Sequence, residues 1–524
     1  MNNLPKTIKI NKTMRTLTVL VFLFFFQASS IAQKSIEQLD KSFEEALQLW
    51  NIPGMSIGII KDGKVVLAKG YGVLKAKGKE KPNSKTMYAI ASNTKAFTTT
   101  ALATLVEEGK LSWNDKVRKY IPDYELYDSY TSEQVTIRDI LSHKVGFANF
   151  SGDVIWYKNN RSAADLLKRI KYVPKAYDFR NGYGYSNLMY MSAGEVIKSI
   201  TGNSWSDYVK ARFFEPLQMT RTITSVEELG KFSNVATPHK PIKNENKPIT
   251  WTNWDSMGSA GAIISSVDDM LKWINLHLSN GKIDDKTYFS QDQQEELWHP
   301  NNSYKVNYKR RAVYPMNFSA YGLGFGLYDY EGQKVITHSG GYDGMYSRVA
   351  MVPEQGLGIV ILTNSMKSIG DYLTYDILDY FLNRKDTDWH KIGLNNYTNY
   401  TDWIDKKKNT IRTKQKKGTT PTIAKTEMEG SYYDDLYGAK ITVSTNSKNE
   451  LKINFEGAPD LTAKLAHWHY NTFEIQWENE HAWFDFGTLG FITNTNNEIT
   501  GLEFDVPNGD IFFDEIKAKK QNQK

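Results

Sequence analysis

The chain has 524 residues, 40% of them hydrophobic and 24% charged, with no cysteine. That is the composition of a soluble globular protein with room for about two to four domains. The missing thiol excludes disulfides, thiolate metal sites and a cysteine nucleophile. The formal charge is +6. Lys6, Lys9, Lys12 and Arg15 supply four of those charges, so the rest of the chain carries +2. No nucleic-acid partner is expected from that balance.

The four basic residues precede the apolar run L-T-V-L-V-F-L-F-F-F (17–26) and the small residues Ser30 and Ala32. Residues 1–32 thus predict a secretory signal peptide cut after Ala32, with either Met1 or Met14 as its start. The run is about half of the ~20 residues a bilayer needs, so no membrane anchor is expected after cleavage. Export without disulfides suits a bacterial periplasm or medium.

Ile36, Leu39, Phe43, Leu47 and Trp50 recur at helical spacing and predict an amphipathic helix, ended by N-I-P-G (51–54). M-S-I-G-I-I and K-V-V-L-A-K-G, separated by K-D-G, predict a β-hairpin. Lys75 to Lys85 read as an exposed loop. Helical patterns dominate from 92 to 300, led by T-K-A-F-T-T-T-A-L-A-T-L-V-E-E-G. Two strands follow, R-V-A-M-V-P and L-G-I-V-I-L-T-N, and then a helix from Asp371. With β elements at both ends, the expected fold is α/β of the α+β kind. An antiparallel sheet is flanked by helices, with an inserted helical lobe, all within 33–385. The polar, basic stretch 386–425 reads as a solvated linker. Short alternating runs over 426–518 predict a small all-β barrel or sandwich.

Ser92 and Lys95 stand three apart in I-A-S-N-T-K (90–95), where an apolar-periodic helix begins. A serine hydroxyl needs a base, and a lysine one turn away on the same face can serve if burial keeps it neutral. The helix N-terminus also favours developing negative charge. The same spacing recurs at Ser279 and Lys282, but past a helix end. A second element is N-G-Y-G-Y-S-N (181–187). Tyr185 could relay a proton, and Asn187 could hold the lysine amine and donate to a substrate amide; the alternative is a core tyrosine with a helix cap. The third is V-I-T-H-S-G-G-Y (335–342), a strand exposing its backbone at Gly340 and Gly341. The N–H groups of Gly341 and Ser92 could form an oxyanion hole; the alternative is a strand-end turn with a surface histidine, His338.

In this order, S-N-T-K, Y-S-N and H-S-G resemble the serine β-lactamase and penicillin-binding-protein superfamily. The likeness is nearest to its class C-like branch of D-aminopeptidases, carboxypeptidases, esterases and β-lactamases, and spans about residues 36–385. V-T-I-R-D-I-L-S-H-K-V-G-F and G-S-A-G-A-I-I-S-S-V-D-D-M are similar to it too. The tail resembles the small β domain often appended to such hydrolases. The resemblance implies that Ser92 is acylated, that Lys95 and Tyr185 share acid–base duty, and that Asn187, His338, Gly340 and Gly341 bind substrate. Many β-lactamases carry lysine where His338 stands, a permanent cation for a substrate carboxylate; histidine is mostly neutral at pH 7. The expected reaction is hydrolysis of amide or ester bonds in small or D-amino-acid-containing substrates. The partner is then a small-molecule, peptide or ester substrate.

The alternatives are a non-catalytic envelope or peptidoglycan-binding protein and a true class C-like β-lactamase. G-x-S-x-G and H-E-x-x-H are absent. His467 and His469 could share a strand face, but such a pair is more often exposed or packed on aromatics, so no metal or cofactor is expected. Specificity is expected in the loops 145–183 and 225–255. No motif reports the oligomeric state or whether the tail covers the site.

Overall fold

The computed structural model describes residues 36–384 and 387–522; the signal-peptide expectation lies outside them. Among the described residues, no helix is long and apolar enough to cross a membrane.

Helix α1 (Ile36–Leu49) leads into strands β1 (Gly54–Lys61) and β2 (Lys64–Gly72). Asp62 and Gly63 both take positive φ, the two-residue turn that suits strand twist. Strands β3 (Asn302–Tyr304), β4 (Ser319–Tyr321), β5 (Gly326–Tyr330), β6 (Gln333–Tyr342), β7 (Met345–Val352) and β8 (Leu357–Thr363) complete an eight-stranded sheet. Its order is β2-β1-β8-β7-β6-β5-β4-β3, with every ladder antiparallel. Ile57 pairs with Ile361 and Ile59 with Ile359, so the two ends of the domain zip together in neighbouring strands.

The helical lobe covers one face. Its central helix α2 (Thr94–Glu107) is buried from Thr94 to Leu105 despite its threonines. Their hydroxyls find local acceptors: Thr100 donates to Ala96 O (2.8 Å), and Thr98 to Ser259 O across the interface (2.7 Å). Around it pack α3 (Asn187–Thr201) and α4 (Val267–Leu278), with Phe97 stacked on Trp273 at 3.7 Å. The opposite face carries α1 and α5 (Ile369–Phe381) over a second apolar core of Phe43, Trp50, Ile359 and Leu373.

The stretch 386–425 differs from the expected solvated linker. It contains a 25-residue helix, α6 (Trp389–Thr413), capped by Asp388. Trp389 is buried against Tyr375, and Gly393 lies flat on Trp50 and Tyr372. The basic residues near its end are used in docking: Lys408 meets Asp485 at 2.5 Å and Arg412 lies over Phe486. A charge-rich helix that bridges two bodies carries no continuous apolar stripe, which is why composition reads it as solvated.

Strands β9 (Gly430–Tyr433), β10 (Lys440–Thr445), β11 (Leu451–Phe455), β12 (Ala458–His469), β13 (Thr472–Trp477), β14 (Thr488–Thr493), β15 (Ile499–Asp505) and β16 (Lys519–Lys520) form a closed antiparallel barrel. Tyr432 opposite Lys520 closes the ring. His467 and His469 engage backbone groups of Tyr470 and Lys416. The barrel core is continuous with that of the helical lobe.

Candidate active site

Ser92 sits in a single turn, Ala91–Asn93, at the start of α2. Ala91 adopts φ +46°, a left-handed conformation costing an L-residue roughly 1–2 kcal/mol. The turn is held by its surroundings: Asn93 Nδ2 donates to Ser347 Oγ (2.8 Å), and Ser347 Oγ to Ile90 O (2.6 Å). Strain at a nucleophile that neighbours over-determine fits a functional site.

Lys95 is 0% exposed. Its Nζ lies 3.1 Å from Ser92 Oγ, 2.7 Å from Asn187 Oδ1 and 2.8 Å from Ala260 O. The last two are carbonyl oxygens and only accept. A neutral amine has two hydrogens, so both go to them and its lone pair faces the serine hydroxyl. Burial holds the amine down at about 7, with the Asp153 carboxyl pulling the other way.

Tyr185 places its ring 4.8 Å under Lys95 Nζ. Its hydroxyl is buried beside Ser92, without the geometry of a closed hydrogen bond. Burial raises it well above 10, so it is a neutral phenol at physiological pH. Asn149 Oδ1 takes the Tyr185 N–H (2.7 Å), and His143 Nδ1 takes that of Ser186 (3.1 Å). His143 also packs its ring 4.5 Å from that of Tyr185. Burial lowers its pKa well below 6.5, so a neutral imidazole backs the tyrosine.

Asn187 opens α3, and its Oδ1 accepts from Lys95 Nζ. Its amide group, however, also turns inward, with Nδ2 donating to Asp153 Oδ2 at 2.6 Å. Asp153 is 1% exposed, and burial raises its carboxyl to about 8. The sequence reading missed Asp153 and His143. An acid inside the apolar run D-V-I-W-Y was the one available signal for Asp153.

His338 is buried, with Nδ1 2.6 Å from Ser339 O and Nε2 3.0 Å from Tyr321 OH. The carbonyl only accepts, which assigns the proton to Nδ1. Burial and then Lys95 lower it to about 3, so no cation stands at this position. The β5–β6 ladder ends at Gly326 opposite Thr337. Beyond it, residues 338–342 pair with β7 and leave their other edge open, the geometry for an added substrate strand. A Cβ on Gly340 would lie 2.3 Å from Ile90 O and 2.9 Å from Ser92 N. Only glycine lets the strand approach the nucleophile this closely.

Ser92, Tyr185, Asn187, His338 and Gly341 line one cleft of about 570 Å³. Lys95 and Gly340 stand immediately behind it. All seven residues singled out in the sequence therefore converge. The roof comes from elsewhere in the chain: Tyr400 of α6, and Trp483, Asp510 and Ile511 of the barrel. Glu515 fastens it, bonding Ser151 Oγ and the Gly152 N–H (2.7 Å) on the loop that carries Asp153. Among the described residues, no cluster suits a metal ion.

The chain is similar to known proteins. Residues 39–381 match the family model described as Beta-lactamase, and residues 414–520 match a domain of unknown function, DUF3471. The unguisins hydrolase ungD' of Aspergillus campestris is 29% identical over 400 residues, covering 69% of this chain and 70% of that protein. Protein flp of Staphylococcus aureus is 32% identical over 343 residues, 64% of each chain. The octameric penicillin-binding protein homologue from Pyrococcus abyssi superposes with a TM-score of 0.58 at 21% identity, over 93% of this chain and 100% of that one. This chain belongs to the Beta-lactamase family and is a serine hydrolase of that fold.

Proposed function

We propose that the protein is an exported serine hydrolase, periplasmic or extracellular, that cleaves amide or ester bonds of small or D-amino-acid-containing substrates through an acyl-enzyme on Ser92. Lys95 is the base: it takes the Ser92 proton as Oγ attacks the substrate carbonyl carbon. The N–H groups of Ser92 and Gly341 receive the developing oxyanion. Tyr185, a neutral phenol, passes the proton to the departing amine or alcohol as the scissile bond breaks. Water then enters, gives its proton to the same relay, and releases the acid from Ser92. Asn187 orients Lys95, and the open edge of β6 aligns the substrate.

The observation that carries this reading is the environment of Lys95 Nζ, with two carbonyl acceptors and the nucleophile within 3.1 Å. The neutral His338 supports an amide or ester substrate over a β-lactam, whose carboxylate would lack a lysine partner. The roofed cleft supports a small one, and residues 1–32 support export.

A fluorophosphonate probe tests the nucleophile. Labelling at Ser92, with hydrolysis of nitrophenyl esters or D-alanyl amides lost in Ser92→Ala, is the expected result. A folded protein that resists the probe would leave a binding role instead, and efficient hydrolysis of a β-lactam would reassign the substrate.

A further inference from the structure

We propose that Asp153 is a positioning residue for the hydrolysis: it acts on Lys95 through the side chain of Asn187, fixing which end of that amide faces the base. The inference rests on the serine hydrolase reading with Lys95 as the base, and adds to it the group that keeps the lone pair of Lys95 on the nucleophile.

The backbone delivers the Asp153 carboxyl to one place. Asp153 begins a single turn, Asp153–Ile155, whose residues are all buried. Its N–H donates to Phe150 O (3.0 Å), and the Phe150 N–H donates in turn to Tyr185 O (2.8 Å). Gly152 takes φ +81°, and a Cβ there would lie 2.7 Å from Leu188 Cδ1. Glu515 holds Ser151 and Gly152 from the barrel side. So placed, Asp153 lines the cleft and accepts Asn187 Nδ2 through Oδ2 at 2.6 Å.

A primary amide has an accepting end and a donating end. In the observed orientation Asn187 Oδ1 takes one hydrogen of the Lys95 amine (2.7 Å) and Ala260 O the other (2.8 Å). The lone pair is left for Ser92 Oγ at 3.1 Å. Turned over, the amide would present its NH2 group to Lys95, and a neutral amine would give up its lone pair to accept from it. Asp153 decides between the two, because a carboxyl oxygen at the Nδ2 end needs a donor there. Charged or protonated, a carboxyl keeps an oxygen that accepts.

Charge adds a second effect. Burial raises the Asp153 carboxyl and lowers the Lys95 amine, and each pulls the other back when charged. A carboxylate at 153 therefore favours the protonated lysine, which is not a base. Other titratable groups surround the pair. His143 and His338 are held neutral by burial. The rings of Tyr185 and Tyr190 lie 4.8 and 5.3 Å from Nζ. Asp510 faces Asp153 from the barrel, and Arg348 is paired with Asp371. All of them stay in place when only residue 153 is changed.

Two variants separate orientation from charge. Asp153→Asn keeps an accepting oxygen and removes the charge; Asp153→Ala removes both. The readout is the pH profile of kcat/KM for a nitrophenyl ester, with kcat and KM measured separately and circular dichroism as the control for folding. Asp153→Asn should stay within about threefold of the wild-type plateau, with its acid limb at least ~0.5 pH unit lower, because losing a negative neighbour lowers the lysine. Asp153→Ala should lose about 10–10²-fold on the plateau, chiefly in kcat. An acid limb that is unmoved or higher in Asp153→Asn overturns the inference. So does a plateau in Asp153→Ala equal to that of the wild type, or a loss in Asp153→Asn as large as in Asp153→Ala. If Asp153→Ala does not fold, the limb of Asp153→Asn decides alone. Fluorophosphonate labelling of Ser92 that persists beside such a failure leaves the hydrolase reading standing. A wild-type protein with neither hydrolysis nor an adduct at Ser92 removes both.

Discussion

Replacing Lys95 by arginine keeps a positively chargeable donor and removes the base. Burial holds the lysine amine at about 7 against 10.5 for an exposed one. At pH 7 about half the molecules then carry the free base, compared with about one in 3,000 for an exposed lysine. An arginine, at ~12.5 or above, leaves about one in 300,000. General-base assistance contributes about 10²–10⁴ in rate. Lys95→Arg is therefore expected to slow acylation by ~10²–10⁴-fold, to the level that backbone donors and binding sustain. Single-turnover acylation by a nitrophenyl ester measures it, with circular dichroism as the control for folding. The wild-type pH profile carries the same information. Lowering the pH through 7 protonates the amine, so kcat/KM should fall about tenfold per unit below 7 and level off above it. Retention of more than a tenth of the wild-type rate in Lys95→Arg would refute the assignment, as would a flat profile between about pH 5 and pH 9.

Two further substitutions test how the site is assembled. Gly340→Ala places a methyl group 2.3 Å from Ile90 O, which forces β6 away from Ser92. Activity should drop by at least ~10²-fold, with a stability cost of about 1–3 kcal/mol; an alanine enzyme with wild-type kcat/KM would show that the close approach is dispensable. Glu515→Ala frees the Ser151 hydroxyl and the Gly152 N–H. It should cost about 2 kcal/mol and speed amide hydrogen exchange across residues 150–153; unchanged protection there would mean the barrel does not hold the loop.

The parts of the fold that could be read from the sequence are those whose signal is local. The K-D-G turn between two apolar runs announces a hairpin, and L-G-I-V-I-L-T-N announces a buried strand. Ser92, Lys95, Tyr185 and His338 were legible because their order and spacing recur in a known family. Asp153 was not, because a single acid has no meaning until Asn187 is known to lie beside it. Helix α6 was not, because Lys408 and Arg412 find their partners on the barrel, at Asp485 and Phe486. Glu515 meets Ser151 across 364 positions, a contact no window of sequence contains.

The placement of the barrel follows from the same long-range contacts. Arg161 reaches from the hydrolase domain to the carbonyls of Tyr437 and Gly438, and Lys240 to that of His481. Each brings a buried or half-buried cation to a carbonyl that a strand ladder leaves free, so the two bodies complete each other's hydrogen bonding. With Glu515 on the opposite contact, the barrel is fixed at several separated points, and the Asp510 loop has one position over the cleft. In the hydrolase domain alone, the site would keep its nucleophile and base but open upward, with Asp153 and Trp254 facing water. Ser92, Lys95 and Tyr185 therefore all lie within residues 36–384, while Tyr400, Trp483 and Ile511 over the cleft come from α6 and the barrel.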